Sequence, residues 1–172
     1  MNRTILYTSL ILISFVLISC GSKVPIDDIS MAVEDDRITG MWYAQSPDTT
    51  EHFHVAVMKF NRTEYLLYMK ATETKKEKTE NDTILCRAYI VNVGTKPFLN
   101  IQPVDTSALE ERAYFFYDYR FLTDSLLLVR ELNSIDSTNI NGFETSEPLY
   151  HFIEDNLSNP ALYGEVIELM RK

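Results

Sequence analysis

Three histidines are the residues of this sequence best suited to bind a metal ion. His52 and His54 are two positions apart in a segment with strand-like alternation, so both side chains lie on one face, as metal ligands on strands do. A site needs a third ligand, and the remaining histidine, His151, lies in a predicted helix. We therefore expect His52 and His54 to be polar residues near the mouth of the fold, and we predict no metal site.

The nucleophilic side chains lack the neighbours that covalent catalysis requires. Serine, histidine and aspartate all occur, but the sequence contains no Gly-x-Ser-x-Gly turn and no phosphate-binding loop. Cys86 alternates with apolar residues, which predicts a small buried hydrophobic side chain and not a nucleophile. We therefore predict no catalytic residue, no cofactor and no enzymatic activity.

A covalent modification is indicated at Cys20. This residue ends the sequence Leu17-Ile18-Ser19-Cys20, which resembles the lipobox of bacterial lipoproteins: two aliphatic residues, a small residue and a cysteine. About 14 apolar or small residues precede it after Asn2-Arg3, which is typical of a signal peptide and short for a membrane span of about 20 residues. The resemblance implies a signal peptide over residues 1–19 and acyl chains attached to Cys20. An uncleaved anchor is the alternative.

The residues after Cys20 bear on location within the cell envelope. Gly21 and Ser22 follow the cysteine. Among some Gram-negative lipoproteins, an aspartate at that place retains the protein in the inner membrane. Its absence favours the outer membrane of a Gram-negative bacterium as the place of lipid anchoring.

The charge balance excludes partners that need a basic surface. Removal of residues 1–19 from the 172-residue chain leaves 153 residues, which suits a single domain with one core. Arg3 is the only charged residue removed, so 15 basic and 25 acidic residues remain. This acidic chain predicts no nucleic-acid partner and no electrostatic binding to anionic lipid. Contact with the membrane would therefore come through the acyl chains on Cys20.

Composition divides the mature chain into two parts. Residues 20–36 are polar and acidic with little periodicity, which predicts a lipidated, flexible tether. From residue 37 to residue 172, short alternating runs are separated by turn residues, which predicts one β domain. The eight predicted strands are 41–45, 52–60, 64–70, 83–93, 98–102, 113–122, 126–132 and 166–171.

The short connections between these strands predict the topology. They favour antiparallel pairing of each strand with the next, and closing such a sheet removes its unpaired edges. We therefore predict an all-β fold, an antiparallel up-and-down eight-stranded barrel with one amphipathic helix near the carboxyl terminus. The helix is predicted over residues 147–157, with Ser146 as its cap and Pro148 in its first turn. The tail 165–171 could be helix or strand, and we favour a strand.

One predicted strand carries aromatic residues on both faces. Its first face contains Phe115, Tyr117, Tyr119 and Phe121. We expect one face to fill the barrel and the other to be covered by the helix or exposed to a partner. Asp118 and Arg120 share the second face, either as an exposed ion pair or as a pair that orients a ligand.

The start of the first strand resembles a known family. Gly40-Met41-Trp42 is similar to the Gly-x-Trp signature of lipocalins, and the order of a β meander, a late helix and a final strand is similar as well. The resemblance implies a lipocalin-like (calycin) barrel over residues 37–172. It also implies that Trp42 closes one end of the barrel beneath a basic side chain, which would be Arg130 or, less readily, Arg171.

Two functions are consistent with these predictions. The first is a non-catalytic, membrane-anchored barrel that binds a small apolar ligand in a lumen lined by Tyr65, Leu67, Tyr117 and Tyr119, unless these side chains simply fill the barrel. The second is an accessory protein-protein interaction module of an envelope complex, which would present a sheet face or the loop 133–143 to an envelope protein.

Overall fold

The computed structural model describes residues 21–45, 52–75, 78–104 and 113–172. The predicted signal peptide, residues 1–19, and the predicted lipid-attachment residue Cys20 lie outside the described residues. Within the described ranges, no helix has the length and apolar character needed to cross a bilayer.

Eight strands form one closed antiparallel barrel in which each strand pairs with the next and the last pairs with the first. The strands are β1 (Gly40–Gln45), β2 (His52–Lys59), β3 (Glu64–Lys75), β4 (Lys78–Val93), β5 (Lys96–Pro103), β6 (Phe115–Thr123), β7 (Leu126–Glu131) and β8 (Ile167–Arg171). The predicted up-and-down barrel is confirmed, and so is the choice of strand for the carboxyl-terminal tail.

The hairpin of β3 and β4 is longer than the sequence predicts. Backbone pairing continues as far as Lys75 and Lys78, whereas the charged composition of this region suggests a loop. Threonines recur through it, and their branched side chains favour extended backbone. Backbone pairing also needs no apolar side chain, so a charged hairpin can extend beyond the barrel wall.

The barrel interior forms the first hydrophobic cluster. Alternate residues of every strand point inward and are largely buried, including Trp42, Val55, Tyr65, Leu67, Cys86, Ala88, Ile90, Leu99, Ile101, Tyr119, Leu127, Val129 and Leu169. The first face of β6 lies on this side, as Tyr119 is buried and Tyr117 and Phe121 pack against the cluster. The alternation of side chains along each strand therefore predicts correctly which residues face the barrel interior.

A second hydrophobic cluster lies outside the barrel, beneath the helix α1 (Ser146–Asp155). Leu149 and Ile153 are fully buried there, together with Phe116 from the second face of β6. The helix thus covers part of the apolar outer surface, as predicted. Its start differs by one residue, because Thr145 occupies the cap position without a side-chain cap and Ser146 is already helical.

The segment before β1 packs against the barrel. Ser22 forms a two-way backbone bridge with Tyr114, and Val33 forms a bridge with Ile90. Ile26 is completely buried, and short 3-10 turns lie at Ile29–Met31 and Asp36–Ile38. Further 3-10 turns lie at Ile140–Gly142 and Pro160–Leu162. The flexible tether predicted for residues 20–36 is therefore wrong for residues 21–36, since isolated apolar residues in an acidic segment find partners on β4, β5 and β6.

Asn100 holds this segment through one buried hydrogen bond. Its Oδ1 atom accepts a hydrogen bond from the Ile26 backbone N–H at 2.8 Å, and both residues are fully buried. Asn100→Leu would leave that N–H unpaired, so we expect the free energy of unfolding to fall by about 1–3 kcal/mol in urea denaturation. Asn92→Leu at an exposed position is the control and should change it by less than about 0.5 kcal/mol. Equal stability of the two variants would contradict this role of Asn100.

Candidate functional site

One end of the barrel is closed by residues 33–39, here called the closing strap. Ile38 of the strap is buried in the interior cluster, and its carbonyl oxygen accepts a hydrogen bond of 2.7 Å from the Trp42 indole N–H. Trp42 itself is only 1% exposed. The tryptophan of the Gly-Met-Trp sequence therefore seals this end, as the resemblance to lipocalins implies.

Arg171, and not Arg130, covers Trp42. The Arg171 guanidinium lies 4.6 Å from the centre of the indole ring and also donates hydrogen bonds to the Arg37 and Thr39 carbonyl groups of the strap. The register of β8 against β1 places residue 171 directly beside Trp42. The alternation of β7 places Arg130 on the outer surface instead.

Arg130 takes part in a different contact outside the barrel. Its Nε atom donates to Asp118 Oδ1 at 3.0 Å, and its guanidinium lies 4.1 Å from the centre of the Tyr163 ring. Asp118 is therefore paired across the sheet with Arg130, and Arg120 is exposed to solvent. The outer position of Asp118 excludes the interpretation of Asp118 and Arg120 as a pair inside the lumen.

Two of the predicted lumen tyrosines belong to the closed end. The Asp35 backbone N–H donates to the Tyr65 hydroxyl at 2.9 Å, and the Tyr119 hydroxyl donates to Asp35 Oδ2 at 3.1 Å. Burial would raise the pKa of the Asp35 carboxyl, but hydrogen bonds from Arg37 and Tyr119 outweigh it and hold that pKa below its ordinary value. The hydroxyl groups of both tyrosines thus fasten the closing strap.

The opposite half of the interior is lined by apolar side chains that are only partly buried. Ala44, Phe53, Met69 and Ile84 point inward from the ends of β1 to β4 that lie away from the strap, and each keeps part of its surface accessible. Strand connections at this end include residues 46–51, 76–77 and 105–112, which lie outside the described residues. We call the interior bounded by these four side chains and Tyr117 the open half.

Tyr117 and Glu131 bring polar groups to the interior. They face each other in the register of β6 and β7, on the same side as Tyr119 and Val129. Burial raises the pKa of the Tyr117 hydroxyl, with smaller contributions from Glu131 and Cys86, yet the side chain keeps accessible surface. Both side chains therefore belong to the inner wall of the barrel, and both keep part of their surface accessible.

Leu67 is buried within the interior, next to Cys86 in the pairing of β3 and β4. Burial raises the pKa of the Cys86 thiol to about 12, so this residue is a buried hydrophobic side chain as predicted.

His52 and His54 lie on the outer face of β2. His52 Nδ1 is 2.9 Å from the Tyr43 hydroxyl, and the His54 ring contacts the same tyrosine with ring centres 5.1 Å apart. His151 lies on α1 beside Glu154. Among the described residues, no three histidine, cysteine or carboxylate side chains come close enough to hold a metal ion.

Two depressions formed by described residues lie on the outer surface. The larger, about 260 Å³, is a shallow concavity over β1, β2 and β3 beside Met41, Ala56 and Tyr68. The smaller, about 140 Å³, lies between the segment before β1 and the strands β4 and β5. The first is bordered by exposed apolar side chains and is the more suitable for a protein partner.

Sequence reasoning missed Glu131 as a site residue. The signal was present, because Leu127, Val129 and Glu131 alternate on one face of β7 and the first two are apolar. An acidic residue at a strand end usually faces solvent, so its residue type alone predicts an exposed position for Glu131.

No protein-family model, curated protein or solved structure matches this chain. The closed eight-stranded antiparallel barrel is consistent with a calycin-like fold.

Proposed function

We propose that the protein is a non-catalytic, lipid-anchored lipoprotein of the cell envelope whose lipocalin-like barrel binds a small apolar ligand in its open half. The observation that carries this proposal is the difference between the two ends of the barrel. The closed half is sealed by Trp42 and the closing strap, whereas apolar side chains of the open half keep accessible surface. Binding of an apolar molecule would remove the accessible surface of those side chains from water, which is favourable in free energy.

Ligand binding is tested by native mass spectrometry of the full-length protein extracted from membranes in detergent. We expect a retained small molecule, or one taken up from a lipid extract. Ala44→Phe would fill the open half from β1 and should abolish retention. Ala56→Phe, on the outer face of the neighbouring strand, adds the same volume outside and should leave retention unchanged. Absence of any bound molecule, or equal loss in both variants, would count against the proposal.

Anchoring through Cys20 is tested by substitution. In Cys20→Ser cells labelled with an alkyne fatty acid, we expect no label on the protein and a drop of about tenfold or more in its membrane-bound fraction, because acyl chains supply the attachment. Cys86→Ala is the matched control, since the other cysteine is buried in the barrel, and it should keep both the label and the attachment. Unchanged labelling and membrane binding of Cys20→Ser would refute lipid anchoring.

The second candidate function is an interaction module for an envelope protein. Exposed apolar side chains on the outer face of β1 to β3 favour it, namely Met41, Met58 and Tyr68, which are 48%, 48% and 44% exposed. Crosslinking in intact cells distinguishes this candidate. Repeated recovery of one protein, abolished by Tyr68→Glu but not by Ala44→Phe, would favour the interaction module over ligand binding.

A further inference from the structure

Glu131 and Tyr117 are direct neighbours on the inner wall of the barrel. Glu131 is the last residue of β7 and is paired in register with Tyr117 of β6. Directly opposed residues of antiparallel strands have Cβ atoms about 4.5–5.5 Å apart, so one small group can touch both side chains. The next residue, Leu132, is buried in the outer cluster, which fixes the opposite, inward direction for Glu131.

Neither side chain has a polar partner within the chain that the structure describes. The Glu131 carboxyl group forms no ion pair or hydrogen bond there, although the Glu131 backbone carbonyl accepts one from the Gly164 N–H, and the Tyr117 hydroxyl forms no hydrogen bond. Burial raises the pKa of the Glu131 carboxyl, which means that its charged form is poorly solvated. Placing a carboxyl group inside the barrel without a partner lowers the stability of the fold. Such a group usually has a polar partner in a native protein, and a bound ligand can provide one.

Other partly or fully buried acids of the barrel have partners. Asp35 accepts hydrogen bonds from Arg37 and Tyr119, and Asp118 is paired with Arg130. Glu64 is paired with Arg87. Glu131 differs from all three in facing the open half rather than the strap or the outer surface.

Among the described residues, the nearby basic side chains, Arg130 and Lys96, bind groups other than Glu131. Arg130, adjacent in sequence, points outward to Asp118. Lys96 donates to the Leu157 carbonyl and to the Tyr163 hydroxyl, both at 2.9 Å. Within the described ranges, neither of these cations is left to pair with Glu131, so a cationic group on a bound molecule would be its first charged partner.

We infer that the ligand of this barrel carries an amino group, which binds between the Glu131 carboxylate and the Tyr117 hydroxyl while an apolar body occupies the open half. This inference rests on the proposed ligand-binding function. An ammonium group has three donors and no acceptor, which suits a carboxylate and a hydroxyl oxygen side by side. Phe53, Met69 and Ile84 keep apolar surface accessible in the same interior cluster for the rest of the molecule.

The test compares hexylamine, hexan-1-ol and hexanoate, which share one apolar chain and differ in the head group. Binding is measured by isothermal titration calorimetry on the full-length lipoprotein in detergent, freed of retained ligand. Partition into micelles differs between the probes, so it is measured for each probe on detergent alone and subtracted; it is the same for every variant. After this correction, we expect hexylamine to bind about tenfold or more tightly than hexan-1-ol, which corresponds to one charge-assisted contact.

Glu131→Gln keeps the shape of the side chain and removes the charge. We expect this variant to bind hexylamine about tenfold more weakly and hexan-1-ol as before. Tyr117→Phe should weaken hexylamine binding by a smaller factor, and Ala44→Phe should abolish binding of all three probes. Thermal unfolding of each variant checks that the fold is intact, and removal of an unpaired carboxyl should leave Glu131→Gln at least as stable as the parent.

The possible failures are distinguishable. If no probe binds and no molecule is retained in native mass spectrometry, the proposed ligand-binding function fails. If hexan-1-ol binds as tightly as hexylamine, or Glu131→Gln keeps the amine preference, ligand binding stands and the inference about the amino group is overturned. Tightest binding of hexanoate would overturn it as well, because Glu131 would then act as a protonated donor.

Discussion

Replacing Trp42 by alanine should lower the free energy of unfolding by about 3–5 kcal/mol. The side chain is only 1% exposed and fills the closed end of the barrel, so its removal leaves a large cavity. The indole N–H bond to the Ile38 carbonyl, 2.7 Å long, is lost at the same time. The ring also supports Arg171. The closing strap would lose the indole contact and keep those of the Tyr65 and Tyr119 hydroxyl groups with Asp35.

Urea denaturation followed by far-UV circular dichroism measures the effect, since Trp42 is the only tryptophan and fluorescence would disappear with it. Trp42→Phe keeps much of the ring and loses the N–H bond, so its loss of stability should be smaller than that of Trp42→Ala. Met41→Ala at the exposed neighbouring position is the control and should change stability by less than about 0.5 kcal/mol. A Trp42→Ala protein within about 1 kcal/mol of the parent would refute the role of Trp42 as the end seal.

Replacing Leu149 by alanine should cost about 2–5 kcal/mol. Leu149 is fully buried between α1 and the outer face of the barrel, where it belongs to the same cluster as Phe116 and Val91. Without it, the helix loses one of its two buried apolar residues; Ile153 is the other. A helix of 10 residues has little stability of its own, so its attachment depends on this packing.

Chemical denaturation gives the size of the loss, and hydrogen exchange shows where it occurs. We expect faster exchange in α1 and in the strands beneath it, with less change in β1 and β2. His151→Ala, an exposed position on the same helix, serves as the control. Equal exchange in α1 of the parent and of Leu149→Ala would contradict the view that this residue holds the helix.

The barrel can be predicted from the sequence because the features that specify it involve residues close together in the chain. Alternation along each strand assigns the inner face, as Tyr117 and Tyr119 illustrate, and short connections leave few topologies other than a meander. The helix follows from apolar spacing in the same way. These features need only residues that are near one another in the sequence.

Contacts between distant residues escape such rules. Ile26 and Asn100 are 74 residues apart, and nothing in the acidic composition of residues 20–36 indicates that Ile26 is buried. The prediction that Arg130 covers Trp42 is wrong for a simpler reason. The alternation of β7 assigns Arg130 to the outer face, and the barrel closure between β8 and β1 assigns Arg171 to Trp42.

The site is predictable only in part. Tyr117 belongs to the open half, but the hydroxyl groups of Tyr65 and Tyr119 hold Asp35, a contact that links strands to a segment of irregular structure. Glu131 could have been found from alternation alone. Its lack of a partner is visible only when the surroundings of the carboxyl group are known in three dimensions.

The bridge between Ser22 and Tyr114 sets how the protein would stand on a membrane. Gly21 lies so close to the two residues that precede β6 that an added Cβ atom would come within 2.7 Å of the Ala113 Cβ. Cys20 is only two residues from Ser22, and two residues span at most about 7 Å. Acyl chains on Cys20 would therefore hold the barrel close to the membrane surface. Tyr114 precedes β6 at the end away from the closing strap. If the protein is anchored as proposed, the open half of the barrel would face the bilayer, and a ligand could pass between lipid and barrel without entering bulk water.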